Sequence, residues 1–159
     1  MATIAVSKIK PYSVVNVAKV FYEGASQSFV EGDVVILSGT SDKGNKIVIA
    51  GTDPVTKIVG IAQEAASGTE GGREIPVVLS DPRNEFIANV EGTTALDADF
   101  VGLRCGLVND GSGIWRVDTS DTTNKNVRIT GLIDAVGDVK GRVTFRFLDI
   151  AAAFSGYSA

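Results

Sequence analysis

The chain has 159 residues, of which 44% are hydrophobic and 21% charged, with a formal charge of −4; that is one domain's worth of length with an ordinary soluble composition. It contains no histidine and a single cysteine, Cys105, which excludes Cys–His catalysis, zinc binding and an intramolecular disulfide. No apolar run approaches the roughly 18 residues of a membrane span, and residues 1–15 lack the apolar core of a signal peptide. Cytoplasmic synthesis with no membrane contact is therefore expected.

Charge is uneven along the chain: residues 1–30 carry +2, residues 31–99 carry −7 and residues 100–159 carry +1. An acidic middle disfavours nucleic acid as a partner and reads as a solvated face.

The first elements are two extended segments, residues 2–9 and 14–22, separated by Lys10-Pro11. Proline fixes φ and lacks an N–H, so it marks a turn or a sheet edge. Short β-branched runs follow at residues 34–37, 47–50, 58–61 and 75–79, a composition suited to a pleated, half-buried surface. Ser38-Gly39, Lys43-Gly44-Asn45, Asp53-Pro54, Gly71-Gly72 and Asp81-Pro82 punctuate them as turns. Further strands are expected at residues 86–90, 100–103, 106–108, 114–117, 127–133 and 143–148. Asn109-Asp110-Gly111-Ser112-Gly113 predicts a hairpin, because Asn, Asp and Gly tolerate the left-handed backbone. Helical signals are confined to short turns at residues 61–66 and at Thr94 through Ala98. No internal repeat with a convincing period is visible, so the pattern predicts a single compact antiparallel barrel or sandwich.

The chain divides into an N-terminal arm or edge strand (1–10), a β-rich core (11–149) and an apolar tail (150–159). The tail, IAAAFSGYSA, follows a final charge at Asp149 and has none of its own; a frayed terminus is usually more polar. It either packs back on its own domain or inserts into a neighbour.

Motifs for chemistry fail on inspection. Residues 39–46 have the outer spacing of a phosphate-binding loop, but Asn45-Lys46 stands where Lys followed by Ser or Thr is required, and a strand follows instead of a helix. Asp118-Thr119-Ser120 resembles an aspartic-protease loop without its supporting strand. Asp118 and Asp121 with Thr122, Thr123 and Asn124 lack the glycine and glutamate of a calcium loop, and read as a turn capped by its own side chains. Glu64, Glu70, Glu74, Asp81 and Glu85 show no spacing that selects an acid–base pair. Cys105, set among Leu103, Leu107 and Gly106, reads as a buried, inert thiol. No cofactor, metal or catalytic residue is assigned, and the chain is expected not to be an enzyme.

Residues 22–35 (YEGASQSFVEGDVV), 57–62 (KIVGIA), 75–82 (IPVVLSDP), 101–107 (VGLRCGL), 118–120 and 141–147 (GRVTFRF) resemble the small head proteins of tailed bacteriophages, commonly decoration or cement proteins. The resemblance spans most of the chain and is carried by turn glycines and strand residues. It implies a tulip-like all-β fold with extended terminal arms, a homo-oligomer with a trimer favoured, and the major capsid protein as partner. It also implies a place on the outer surface of the capsid, where the protein bridges neighbouring subunits.

Extended arms add strands to a neighbour's sheet edge. The candidate interface residues are accordingly Ile4, Val6, Ile9 and Tyr12 at one end and Ile150, Phe154 and Tyr157 at the other. The alternatives are a tail or fibre module binding host carbohydrate, which requires an exposed Trp115 or Tyr157, and a β-rich trimeric hydrolase.

Overall fold

The computed structural model describes residues 1–15, 19–38, 45–52, 54, 58–109, 111–149 and 151–153. Among these the chain is nearly all β: β1 (Lys10–Ser13), β2 (Lys19–Glu23), β3 (Val34–Leu37), β4 (Lys46–Ile49), β5 (Ile58–Ala62), β6 (Glu74–Leu79), β7 (Glu85–Asn89), β8 (Arg104–Asn109), β9 (Trp115–Asp118), β10 (Val127–Leu132) and β11 (Arg142–Phe147). Strands β2-β4-β3-β5-β6 close into a barrel, and β1-β7-β11-β10-β8-β9 form a six-stranded sheet. That sheet curls until Val90, just past β7, meets Val117 of β9 in a parallel bridge.

The expected strands formed where β-branched runs met turn residues. Pro11 lies in β1 at a sheet edge, where its missing N–H does least harm. The predicted hairpin joins β8 to β9, with Asn109 opposite Trp115 and Gly111 and Gly113 at φ of 88° and 81°. Several readings are corrected. Lys10-Pro11 opens β1 instead of separating two strands, residues 2–9 form only a bridge at Thr3, and the turn expected from Thr94 to Ala98 forms later in the chain. The strand expected at 100–103 is replaced by a 3-10 turn, Ala98–Phe100, because the Asp97 side chain accepts a hydrogen bond from the Asp99 N–H and caps it. The helical turn expected at 61–66 is lost to β5, whose five residues are all buried.

The closed barrel and the curled sheet have one topology, a repeat that the sequence did not reveal. In each, the first strand runs parallel to the third (Glu23 opposite Ile47; Val90 opposite Val117) and antiparallel to the fifth (Phe21 opposite Ile75; Ala88 opposite Val143). The second pairs antiparallel with the third (Leu37 opposite Ile47; Leu107 opposite Val117) and with the fourth (Val35 opposite Gly60; Cys105 opposite Val127). The fourth pairs with the fifth (Ala62 opposite Val77; Ile129 opposite Phe145).

Single hydrogen bonds repeat as well. The Gly32 N–H donates to the Ala62 carbonyl as the Gly102 N–H donates to Ile129, both glycines standing at φ 92°. The Ser80 N–H donates to Val59 as the Leu148 N–H donates to Asn126.

Two cores result. Phe21, Phe29, Val35, Leu37, Ile47, Val59, Ala62, Ile75, Val77 and Leu79 fill the closed barrel. A larger cluster fills the curled sheet around Phe86, Phe145 and Phe147, whose ring centroids lie 5.4–5.7 Å apart, and reaches Val34, Ile58, Ile61 and Val78 on the barrel's outer wall. Burial of this apolar surface is what joins the two units.

Candidate functional site

The side chains capable of chemistry are dispersed, and several are tied to a local structural partner. Glu70 pairs with Lys46 at 2.5 Å, Asp81 with Arg83 at 2.8 Å, and Glu74 accepts from the Tyr22 hydroxyl at 3.0 Å. Glu85 accepts from the Thr130 hydroxyl and from Arg146. These bonds, Thr130's first, outweigh burial and hold its carboxyl below the usual range. Asp121 caps its own turn by accepting from the Thr123 and Asn124 N–H groups, and Asp118 does the same for Ser120. Among the described residues no group of three His, Cys, Asp or Glu side chains could hold a metal ion. Of the phosphate-loop stretch, residues 39–44 lie outside the described residues and Lys46 opens β4.

Cys105 is fully buried, and its thiol is pushed up to about 12, first by burial and then by the nearby Asp118 and Asp121 charges. At neutral pH it carries essentially no thiolate, the reactive form.

Two buried carboxylates were not anticipated. Glu23 lies at the end of β2 and accepts from the Ser67 N–H at 2.5 Å and from the Ser67 hydroxyl. Burial raises its pKa most strongly as a single cause, but hydrogen bonds from Ser67, Thr69 and Gly68 together outweigh it and leave the carboxyl below its ordinary range. The Gly71 N–H donates to the Glu23 carbonyl, so this residue ties the β5–β6 loop onto the barrel.

Asp33 opens β3 and accepts from the Val30 N–H at 2.9 Å. Here burial wins and pushes the carboxyl up against the opposing pull of Val30, Lys8 and Trp115. The buried Trp115 indole N–H finds no acceptor in hydrogen-bonding geometry, in keeping with its place as the weakest of those three influences. Only the sequence signal of an acid directly before an apolar run marks Asp33, and at Glu23 the signal is a charge on the inward register of a strand.

The candidate interface residues separate. Ile4 and Val6 are half-buried and Tyr12 is 57% exposed. Ile9 is 2% exposed and belongs to the larger cluster. It is buried because the N-terminal segment runs along its own fold. The Ile4 N–H donates to Val139, the Val139 N–H to Ala2, and the Asn89 side chain clasps Ser7 and Ala5. Ile150, Phe154 and Tyr157 lie outside the described residues. The preceding residues turn back onto the barrel, with the Ala153 N–H donating to Ile58.

What the surface offers is apolar. Tyr12, Val14, Val15, Val20 and Tyr22 place five exposed large apolar side chains within eleven residues of chain. An open cleft of about 530 Å³ lies between the end of β4 and the β8–β9 hairpin, lined by Ala50, Thr52, Asn109, Gly111 and Gly113. Among the described residues that lining holds no titratable side chain. Trp115 is 1% exposed and fully packed, which removes one of the two aromatic platforms that carbohydrate binding requires. Among the described residues no helix is long and apolar enough to cross a membrane. No protein-family model matches the sequence, and no curated protein matches it.

Proposed function

We propose that this chain decorates and cements the expanded capsid of a tailed bacteriophage, sitting on the outer surface as a homo-oligomer, a trimer favoured, and bridging neighbouring major capsid protein subunits. The observation that carries the reading is where the resembling residues fall. Gly32-Asp33 leads directly into β3, which Val34-Val35 begins, Ile75 through Leu79 forms most of β6, and Arg142 through Phe147 forms β11. The likeness to phage head proteins thus lies in the frame of both units.

The rest of the surface agrees in character, because its carboxylates hold loops in place and its apolar residues gather near the N-terminus. A protein of this kind acts mechanically. By binding the expanded shell more tightly than the unexpanded one, it stabilises that state by linkage, and several modest contacts per oligomer add up through multivalency. A reconstruction of the virus particle encoding the chain is expected to place it on the outer shell at three-fold positions; its presence in the tail alone would overturn the reading.

A further inference from the structure

The barrel docks on its sister unit through its outer wall. Val34 lies opposite Ile61 and Ile61 opposite Val78, so the three form a row across β3, β5 and β6, buried in the cluster that joins the units. In the curled sheet the equivalent positions are Arg104, Arg128 and Arg146. The neighbouring pairs fix that match, Val35–Gly60 with Cys105–Val127 and Ala62–Val77 with Ile129–Phe145. Arg104 lies opposite Arg128 and Arg128 opposite Arg146, and all three are exposed. The wall that one unit uses for docking is, on the other, an open row of like charges.

Such a row is costly. Residues directly opposite on one face of an antiparallel pair hold their Cβ atoms about 5 Å apart, so like charges there oppose the pairing. Covering the end of a tandem array asks only for polar side chains. Threonine meets that need without repulsion, and Thr130 and Thr144 stand on the same face with their hydroxyls 2.9 Å apart.

The acids around the row leave two of its members open. Glu85, at the start of β7, binds the Arg146 guanidinium at 3.0 Å. Asp118 and Asp121 lie past Arg104, beside Gly106, and accept from N–H groups of their own turns. Asp97 caps the 3-10 turn before β8, which also holds Asp99, and Asp149, past the end of β11, is engaged as well. Among the described residues no ion pair joins Arg104 or Arg128 to an acid.

We propose that Arg104 and Arg128, with Arg146 beside them, form a docking row for an acidic segment of a partner polypeptide, whose carboxylates settle between the guanidiniums. A carboxylate placed there takes paired N–H bonds from an arginine fork and turns repulsion along the row into attraction. Protein carboxylates fit better than nucleic acid. The row is only about 10 Å long across its three strands, and Glu85 at one end with Asp118 and Asp121 near the other would repel a phosphate backbone running past it. This inference rests on the proposed function in one respect only, that the segment belongs to a shell subunit.

The test is amide NMR on the full chain, titrated at low salt with an oligoglutamate peptide; an oligolysine peptide and a single-stranded oligothymidylate serve as controls. The glutamate peptide is expected to shift the Arg104 and Arg128 amides and to bind more weakly as salt rises. Arg128→Glu sets an acid between two arginines, so it is expected to raise the melting temperature and to weaken peptide binding about tenfold or more. Arg128→Gln removes the charge alone and is expected to fall between wild type and Arg128→Glu in both respects.

The row is overturned if the glutamate peptide leaves these amides unmoved, if either control binds there as tightly, if Arg128→Glu lowers the melting temperature, or if concentration-dependent self-association already occupies the face. Capsid binding unaffected by Arg128→Gln would likewise overturn the row while leaving the decoration reading intact. Peptide capture by a chain that never binds capsids would overturn that reading and keep the row.

Discussion

Where the curled sheet carries Phe86, Val90 and Leu103, the closed barrel carries Lys19, Glu23 and Asp33 at equivalent positions. The sheet fills its interior around a triad of packed aromatic rings, while the barrel sets Phe21 and Phe29 among aliphatic residues and places buried carboxylates at its strand ends. One strand order thus tolerates two ways of being held together. Ring packing needs only shape and apolar area. Carboxylate tethers need every hydrogen bond satisfied, and they fasten loops that apolar packing leaves loose.

The difference can be broken by substitution. Phe145→Ala removes the ring that stacks on Phe86 and is expected to cost about 4 kcal/mol, whereas Val77→Ala at the equivalent barrel position costs about 2 kcal/mol; urea melts of the full chain measure both, and equal losses would deny the aromatic plug its role. Gly60→Ala follows, because an added Cβ would stand 2.0 Å from the Val78 carbonyl oxygen at a φ of 155°, and a loss of about 3 kcal/mol is expected. The curled sheet accepts Val127 at the equivalent place.

Glu23→Gln weakens the tether to Ser67 and is expected to cost about 2 kcal/mol near neutral pH. The Glu23 pKa is depressed in the folded state, so the stability it contributes is complete above the ordinary glutamate range and is lost as pH falls through the folded value. The gap between wild type and variant should close in acid.

Asp33→Asn gives the smallest effect and the opposite sign. The folded state raises this pKa, so the folded protein binds the proton more tightly than the unfolded chain does, and ionised Asp33 lowers stability above the folded value. The variant is therefore expected to melt higher at pH 7. Wild type should catch up as pH falls through the raised value toward the ordinary aspartate range, and a destabilised variant at pH 7 would mean that the attraction of Lys8 outweighs burial.

Strands were legible wherever β-branched runs met Gly, Pro, Asn or Asp, because the signal for a half-buried strand is local. The hairpin at 109–113, the edge role of Pro11, the capped turn at Asp121 and the inert Cys105 were legible for the same reason. The repeat was not. Its equivalences pair Phe21 with Ala88 and Val35 with Cys105, 67 and 70 residues apart, since a barrel interior asks for apolar volume and not for a given residue, and loops of slightly unequal length shift the spacing from strand to strand.

The burial of Ile9 was not legible, because an alternating apolar arm looks the same whether it projects or lies down. Ile9 is buried by a distant glycine: a Cβ on Gly32 would stand 2.8 Å from the Lys8 Cβ, so only glycine lets the N-terminal segment pass.

The central claim is that the closed barrel and the curled sheet share one topology, strand for strand. Hydrogen exchange of the free protein, read at single amides, tests it most directly. The account predicts that the Gly32 and Gly102 amides, bonded to the Ala62 and Ile129 carbonyls in equivalent places, are both slow to exchange; protection of one without the other would contradict it.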